Sequence, residues 1–152
     1  KNTGLGIYLG GSSNNIIHGN NIKNNWYGIR LVDSSKNVVY HNNFINSTSQ
    51  VHCIESVNAW DDGYPSGGNY WSDYLGTDNL WGINENLTGY DMMGDTAYVI
   101  DENNQDKYPL MMPWRMCRPP MTEFPDINGD GKIDIKDIAI VAKSFGRTFQ
   151  NP

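Results

Sequence analysis

The stretch Gly6-Ile7-Tyr8-Leu9 returns 22 residues later as Gly28-Ile29-Arg30-Leu31, and the echo continues through both copies. Ser12-Ser13 matches Ser34-Ser35, Asn15-Ile16-Ile17 matches Asn37-Val38-Val39, and Asn20-Asn21-Ile22 matches Asn42-Asn43-Phe44. A third copy opens as Val51-His52-Cys53, with Cys53 at the inward position held by Leu9 and Leu31. Each copy contains short β-rich runs broken by Gly, Ser or Asn, too short and too punctuated for helices. Within a run, inward apolar residues alternate with outward ones. One copy cannot bury its own apolar side, so copies must stack, each strand on its equivalent in the next coil. Equivalent asparagines such as Asn20 and Asn42 then lie above one another and can form side-chain amide ladders. The expected architecture is mainly β: a short right-handed parallel β-helix over residues 1–56.

Working outward, the composition sets limits. Of 152 residues, 38% are apolar and 18% charged, which excludes disorder by composition. No apolar run approaches the ~20 residues of a membrane-spanning helix. The net charge of -6 argues against nucleic acid as a partner and directs attention to cations held among clustered acids. Lys1 opens directly into a strand-like run without a signal-peptide pattern, so the expectation is a removed leader or a longer protein. Cys53 and Cys117 are either a disulfide closing a long loop, worth ~4 kcal/mol in the chain-entropy model, or two unrelated buried thiols. Asn46-Ser47-Thr48 and Asn86-Leu87-Thr88 are glycosylation acceptor motifs at Asn46 and Asn86, in keeping with an exported chain.

Residues 57–118 read as an aromatic, acidic cap. The stretch 58–118 holds ten of the 18 aromatic residues and ten acids against three bases. Large rings such as Trp60, Trp71 and Trp114 suit a loop-rich plug over the lower end of the solenoid. Asp91, Asp95, Asp101 and Asp106 form a candidate second calcium set. The methionines read as adaptable packing. His18, His41 and His52 share no repeat position and form no column of ligands.

Residues 119–152 form the third region, opened by Pro119-Pro120. Within it, residues 126–137 read Asp-Ile-Asn-Gly-Asp-Gly-Lys-Ile-Asp-Ile-Lys-Asp. Oxygen-bearing side chains fall at loop positions 1, 3, 5, 9 and 12, with Gly131 at position 6, where a calcium loop turns sharply. Asp126, Asn128, Asp130 and Asp137 are assigned as side-chain ligands and the Lys132 carbonyl as the position-7 ligand. Asp134 binds directly or through water. Pro119, Pro120 and Pro125 exclude an entering helix, so the expected arrangement is a calcium loop and one exiting helix over 137–145.

Three resemblances attach to these residues. The repeat in 1–56 resembles the β-helix repeats of archaeal cell-surface proteins and of periplasmic copper-accessory proteins that serve nitrous-oxide reductase. The segments 60–74, 94–101 and 103–111 look like the region that closes such solenoids in archaeal surface proteins. The loop and helix of 126–145 resemble one dockerin repeat, a module that binds cohesin partners. Dockerins carry two packed repeats and this chain has one, so the expectation is that its helix docks on the chain's own cap, pairs with a neighbouring subunit, or has lost a partner repeat to truncation.

Together these readings imply an extracellular, cell-surface, calcium-binding structural protein without enzymatic activity. It would self-associate through its β-helix ends and the calcium module, or bind another surface protein. Two alternatives stand beside it: a partner- or carbohydrate-binding module of the dockerin–cohesin type, and a fragment of a polysaccharide-active enzyme. The outward candidates for the last, Lys23, Arg30, Asp33 and Lys36, contain no carboxylate pair.

Overall fold

The computed structural model describes residues 4–114. The calcium loop at 126–137, its exiting helix and Cys117 lie outside the described residues. The chain winds in coils. The first contributes β1 (Leu5–Gly10), β2 (Ile16–His18) and β3 (Asn21–Lys23), and the second β4 (Tyr27–Val32), β5 (Val38–Tyr40) and β6 (Asn43–Ile45). The third begins with β7 (Ser49–Ile54), touches β5 through the single bridge Val38–Ala59, and ends with β8 (Tyr70–Trp71). Three parallel sheets result: sheet A is β1-β4-β7, sheet B is β2-β5 and sheet C is β3-β6-β8. Registers run Ile7–Ile29–Val51, Ile17–Val39 and Ile22–Phe44–Trp71, so the 22-residue period is the pairing register over the first coils. The parallel stack continues past residue 56, and the loop before β8 lengthens the third coil. Below it, β9 (Leu80–Trp81) and β10 (Leu87–Thr88) pair antiparallel, as do β11 (Tyr98–Asp101) and β12 (Asn104–Asp106).

The coil turns at fixed corners. Left-handed backbone recurs at Gly11, Asp33 and Glu55, at Asn14 and Lys36, at Gly19 and His41, and at Asn24 and Asn46. Glycine and asparagine tolerate that conformation best, which explains why they punctuate the repeat. Several corner amides bond the next coil: Gly11 N–H to Val32 O at 2.9 Å, Asp33 N–H to Ile54 O at 3.1 Å, and Gly19 N–H to His41 O at 3.1 Å.

Amide ladders run down the inside of two corners. Asn42 Oδ1 accepts from both the backbone N–H and the side-chain Nδ2 of Asn20, at 3.1 and 2.9 Å. Asn69 Oδ1 accepts the same pair from Asn42, both at 3.0 Å. The second column, Asn15 to Asn37 to Asn58, repeats the pattern at 2.9–3.0 Å. A serine column accompanies them, with Ser12 N–H on Ser34 Oγ and Ser34 N–H on Ser56 Oγ, each at 3.0 Å. Asn37, Asn42, Asn69 and Ser34 are fully buried, so every one of these bonds satisfies a group that water cannot reach.

Between the ladders the apolar residues stack by column. Ile29, Leu31, Val39 and Phe44 are fully buried. Phe44 stacks on Trp71 at 4.4 Å between ring centroids, and Trp71 stacks on Tyr98 at 4.3 Å. Trp60 and Trp71 thus form the floor expected of the cap, below the solenoid's aliphatic interior. Cys53 pairs in register with Leu31 and packs against this core, at the inward position its spacing indicated.

Position in the ladder sets the cost of losing an asparagine. Asn42→Ala leaves the carbonyls of Ile17 and Tyr40 and the N–H of Asn20 without the partners they now have. These partners are part-buried and Asn42 itself fully buried, so the loss should be about 2–3 kcal/mol in all. Asn20→Ala, at an exposed position, should cost under about 1 kcal/mol. Urea denaturation of the two variants measures the difference.

Candidate functional site

The most built polar site in the described residues lies where both ladders end. Asn104 and Asp106, two apart on β12, point to the same side of their strand. Asn104 Oδ1 receives Asn58 N–H at 3.0 Å and the indole Nε1–H of Trp60 at 3.1 Å. Asp106 Oδ2 receives Asn69 N–H at 2.6 Å and the indole Nε1–H of Trp71 at 2.9 Å. Each ladder is therefore closed by one residue that takes a backbone N–H and a tryptophan N–H. Asp106 Oδ1 also accepts Tyr108 N–H at 3.1 Å. The carboxylate sits so close under Gly68 that any side chain there would overlap it.

Burial pushes the Asp106 carboxyl up to about 7, and the charge of Asp61 adds to this, while the N–H donors of Asn69, Trp71 and Tyr108 pull the other way. The folded-state value therefore lies above the unfolded one of about 4. The contribution to stability is full below pH ~4 and is lost as pH rises towards 7, by roughly 4 kcal/mol at most. A pH series of urea midpoints should show this decline for the native chain. Asp106→Asn, which cannot titrate, should flatten that part of the profile.

The four acids read as a second calcium set are not brought together. Asp106 is consumed by the ladder. Asp101 faces the side-chain amide of Asn104, 2.9 Å from both carboxylate oxygens, and the backbone N–H of Asn103 at 2.8 Å. Asp91 and Asp95 belong instead to the loop around β9 and β10, with Asp78 and Glu85. There Asp95 accepts from Asn79, Leu80 and Thr77, Asp91 from Gly82 and Met93, and Asp78 from Asp91 and Met92 N–H. Burial works to raise the Asp95 carboxyl, yet the N–H groups of Leu80 and Asn79 and the Thr77 hydroxyl hold it below the usual range. Burial, then Asp91, Asp95 and Asp78, raise that of Glu85. The aspartate oxygens are engaged mainly by backbone N–H groups, whereas both carboxylate oxygens of Glu85 are enclosed without a hydrogen-bond partner. No group of three or more His, Cys, Asp or Glu able to hold a metal ion occurs among the described residues.

An open cleft of about 580 Å³ lies between the end of β7 and the β11–β12 hairpin, lined by Cys53, Glu55, Asp101 and Glu102 among others. Burial, with the charge of Asp101 behind it, pushes the Cys53 thiol up to about 12, so it stays protonated at neutral pH. The histidines are separated and locally engaged. His18 stacks on Tyr40, His52 stacks on Tyr27, and His41 Nε2 lies 2.8 Å from Ser66 O. Of the outward candidates, Arg30 stands on sheet A, Lys23 on β3, and Asp33 and Lys36 at left-handed corners. Asn46 and Asn86 are both exposed.

Parallel coils, amide ladders and an extended inner stack define a solenoid whose first half carries the repeat. Residues 1–76 match the family model described as periplasmic copper-binding protein (NosD). That is half of the 152 residues, and the chain belongs to this family. No curated protein and no solved structure matches the chain. The family's periplasmic description agrees with the extracytoplasmic expectation, and among the described residues no helix is long and apolar enough to cross a membrane. The described residues do not converge on a copper centre: Cys53 is half-buried at the cleft, and the imidazoles stack singly on tyrosines or bond a carbonyl rather than gathering around one point.

Proposed function

We propose that this is an extracellular, cell-surface structural protein without enzymatic activity. It assembles through the first-coil end of its solenoid and through a dockerin-like calcium module at 126–137. The observation that carries this reading is a contrast between two adjacent coils. Ile29, Leu31 and Val39 are fully buried, whereas their equivalents Ile7, Leu9 and Ile17, one coil earlier, are only partly covered. Among the described residues, β1, β2 and β3 each have a neighbour on one side alone. Such edges pair with another chain unless something protects them.

The opposite end is closed by Asn104 and Asp106, so copies do not stack head to tail through their solenoids. A copy-to-copy contact at the first-coil end is isologous, and by itself makes dimers. Larger assemblies need a second contact, for which the calcium loop is proposed, with Asp126, Asn128, Asp130, Asp134 and Asp137 as side-chain ligands and Lys132 as carbonyl donor. The exposed Asn46 and Asn86 are proposed glycan carriers on this surface protein.

Sedimentation velocity in millimolar calcium and then in excess chelator tests the reading. Species larger than a dimer in calcium, falling to a dimer in chelator, are expected. A monomer in both conditions overturns self-assembly.

A further inference from the structure

The outer face of sheet A carries an aromatic surface that neither the ladders nor the cap explains. Tyr8, Arg30 and His52 stand in register on consecutive coils, with Tyr27 beside them one strand position set earlier. The Tyr27 ring stacks on His52 at 4.6 Å with 11° between planes, and the Arg30 guanidinium carbon lies 5.9 Å from the Tyr27 centroid. Trp26 meets Tyr27 edge-on at 6.4 Å. Tyr8, on β1, and Trp26, in the bend just before β4, remain 56% and 49% exposed.

Two details give this face a chemistry. Tyr8 lies along its strand across Gly10, where an added Cβ would sit 2.8 Å from the tyrosine hydroxyl. Glycine at that position lets the ring lie flat on the sheet with its other side open to solvent. Arg30, for its part, has a buried Nε with no hydrogen-bond partner, and His52 Nδ1 is likewise buried and unpartnered. No carboxylate among the described residues pairs with the Arg30 guanidinium, although acids outnumber bases 17 to 11 in the chain. Because Nε is enclosed, a ligand from outside meets the outer nitrogens of this half-buried guanidinium, which is held against the Tyr27 ring and paired with no carboxylate among the described residues.

We infer that the outer face of sheet A binds an anionic polysaccharide, with sugar rings on Trp26 and Tyr8 and a carboxylate or sulfate on Arg30. The apolar C–H face of a pyranose matches an open aromatic ring, and the guanidinium fork matches a two-oxygen anion. The inference does not rest on the assembly reading, because it concerns the outer face of sheet A rather than the edge of β1 or the loop at 126–137.

Isothermal titration of the full chain with oligogalacturonate, heparin oligosaccharides and neutral cello-oligosaccharides tests it. Saturable binding of one anionic probe is expected, with the neutral probe about tenfold weaker or worse. Arg30→Gln and Trp26→Ala should each weaken that binding about tenfold or more, and Arg30→Lys by less, with thermal midpoints unchanged. Oligogalacturonate preference assigns a carboxylate ligand and heparin preference a sulfate. Absence of binding to all three, equal binding of the neutral probe, or anionic binding that the folded variants leave intact overturns the inference.

Discussion

Everything in the described solenoid depends on one hydrogen-bonding arrangement, the two-donor, one-acceptor relay of a buried asparagine. Each ladder asparagine hands its backbone N–H and its side-chain N–H to the carbonyl oxygen of the asparagine in the next coil. No other side chain of that length carries both donor and acceptor in the right places; aspartate lacks the donor and leucine lacks both. The arrangement fixes the register, because a slip by one residue would put an apolar side chain where two N–H groups need an oxygen. It also gives the solenoid a direction, with donors pointing towards the cap and acceptors pointing away.

That direction explains the residues at the lower end. The last member of a column must accept but need not pass anything on, so an aspartate is admissible there and nowhere earlier. Asp106 occupies one terminal position. Asn104, at the other, directs its spare N–H groups to Ser56 O and to Asp101. The two tryptophans complete the closure, each giving an indole N–H to the residue that ends its ladder and a ring to the floor of the core. Polar and apolar closure therefore come from the same pair of side chains, which is why the cap is aromatic.

The coils were legible in the sequence because a strict period of 22 leaves Gly, Ser, Asn and apolar residues at fixed offsets, and stacking follows from the burial each copy lacks. The third coil was harder to read past residue 56, since the loop between Trp60 and Asn69 breaks the spacing. A signal was nevertheless present. Asn58-Ala59-Trp60 and Asn69-Tyr70-Trp71 repeat the Asn-x-apolar pattern of Asn37-Val38-Val39 and Asn42-Asn43-Phe44, with the apolar residue enlarged to tryptophan at the floor. What no spacing announces is the long-range closure by Asn104 and Asp106, separated from their partners by 46 and 37 residues. The acids of the cap misled for a related reason: a carboxylate engaged by backbone N–H groups and one free to ligate a cation look alike in one dimension.

The contrast between the two ends has a consequence for how such a chain meets its surroundings. At the closed end the last ladder donors are answered by Asn104 and Asp106, so contact there rests on shape and on scattered surface groups. At the first-coil end of the described residues the side-chain Oδ1 atoms of Asn15 and Asn20 occupy the column positions that, one coil below, each receive two N–H donors. Two such ends meeting would set acceptor columns against one another, so the ladders contribute nothing to that contact and it relies on the partly covered Ile7, Leu9 and Ile17 and on strand edges. A strand that carried asparagine in the same register would instead continue both ladders. The polarity that makes the solenoid stable thus also discriminates among what can lie against it, favouring a parallel coil of the same signature over an arbitrary edge.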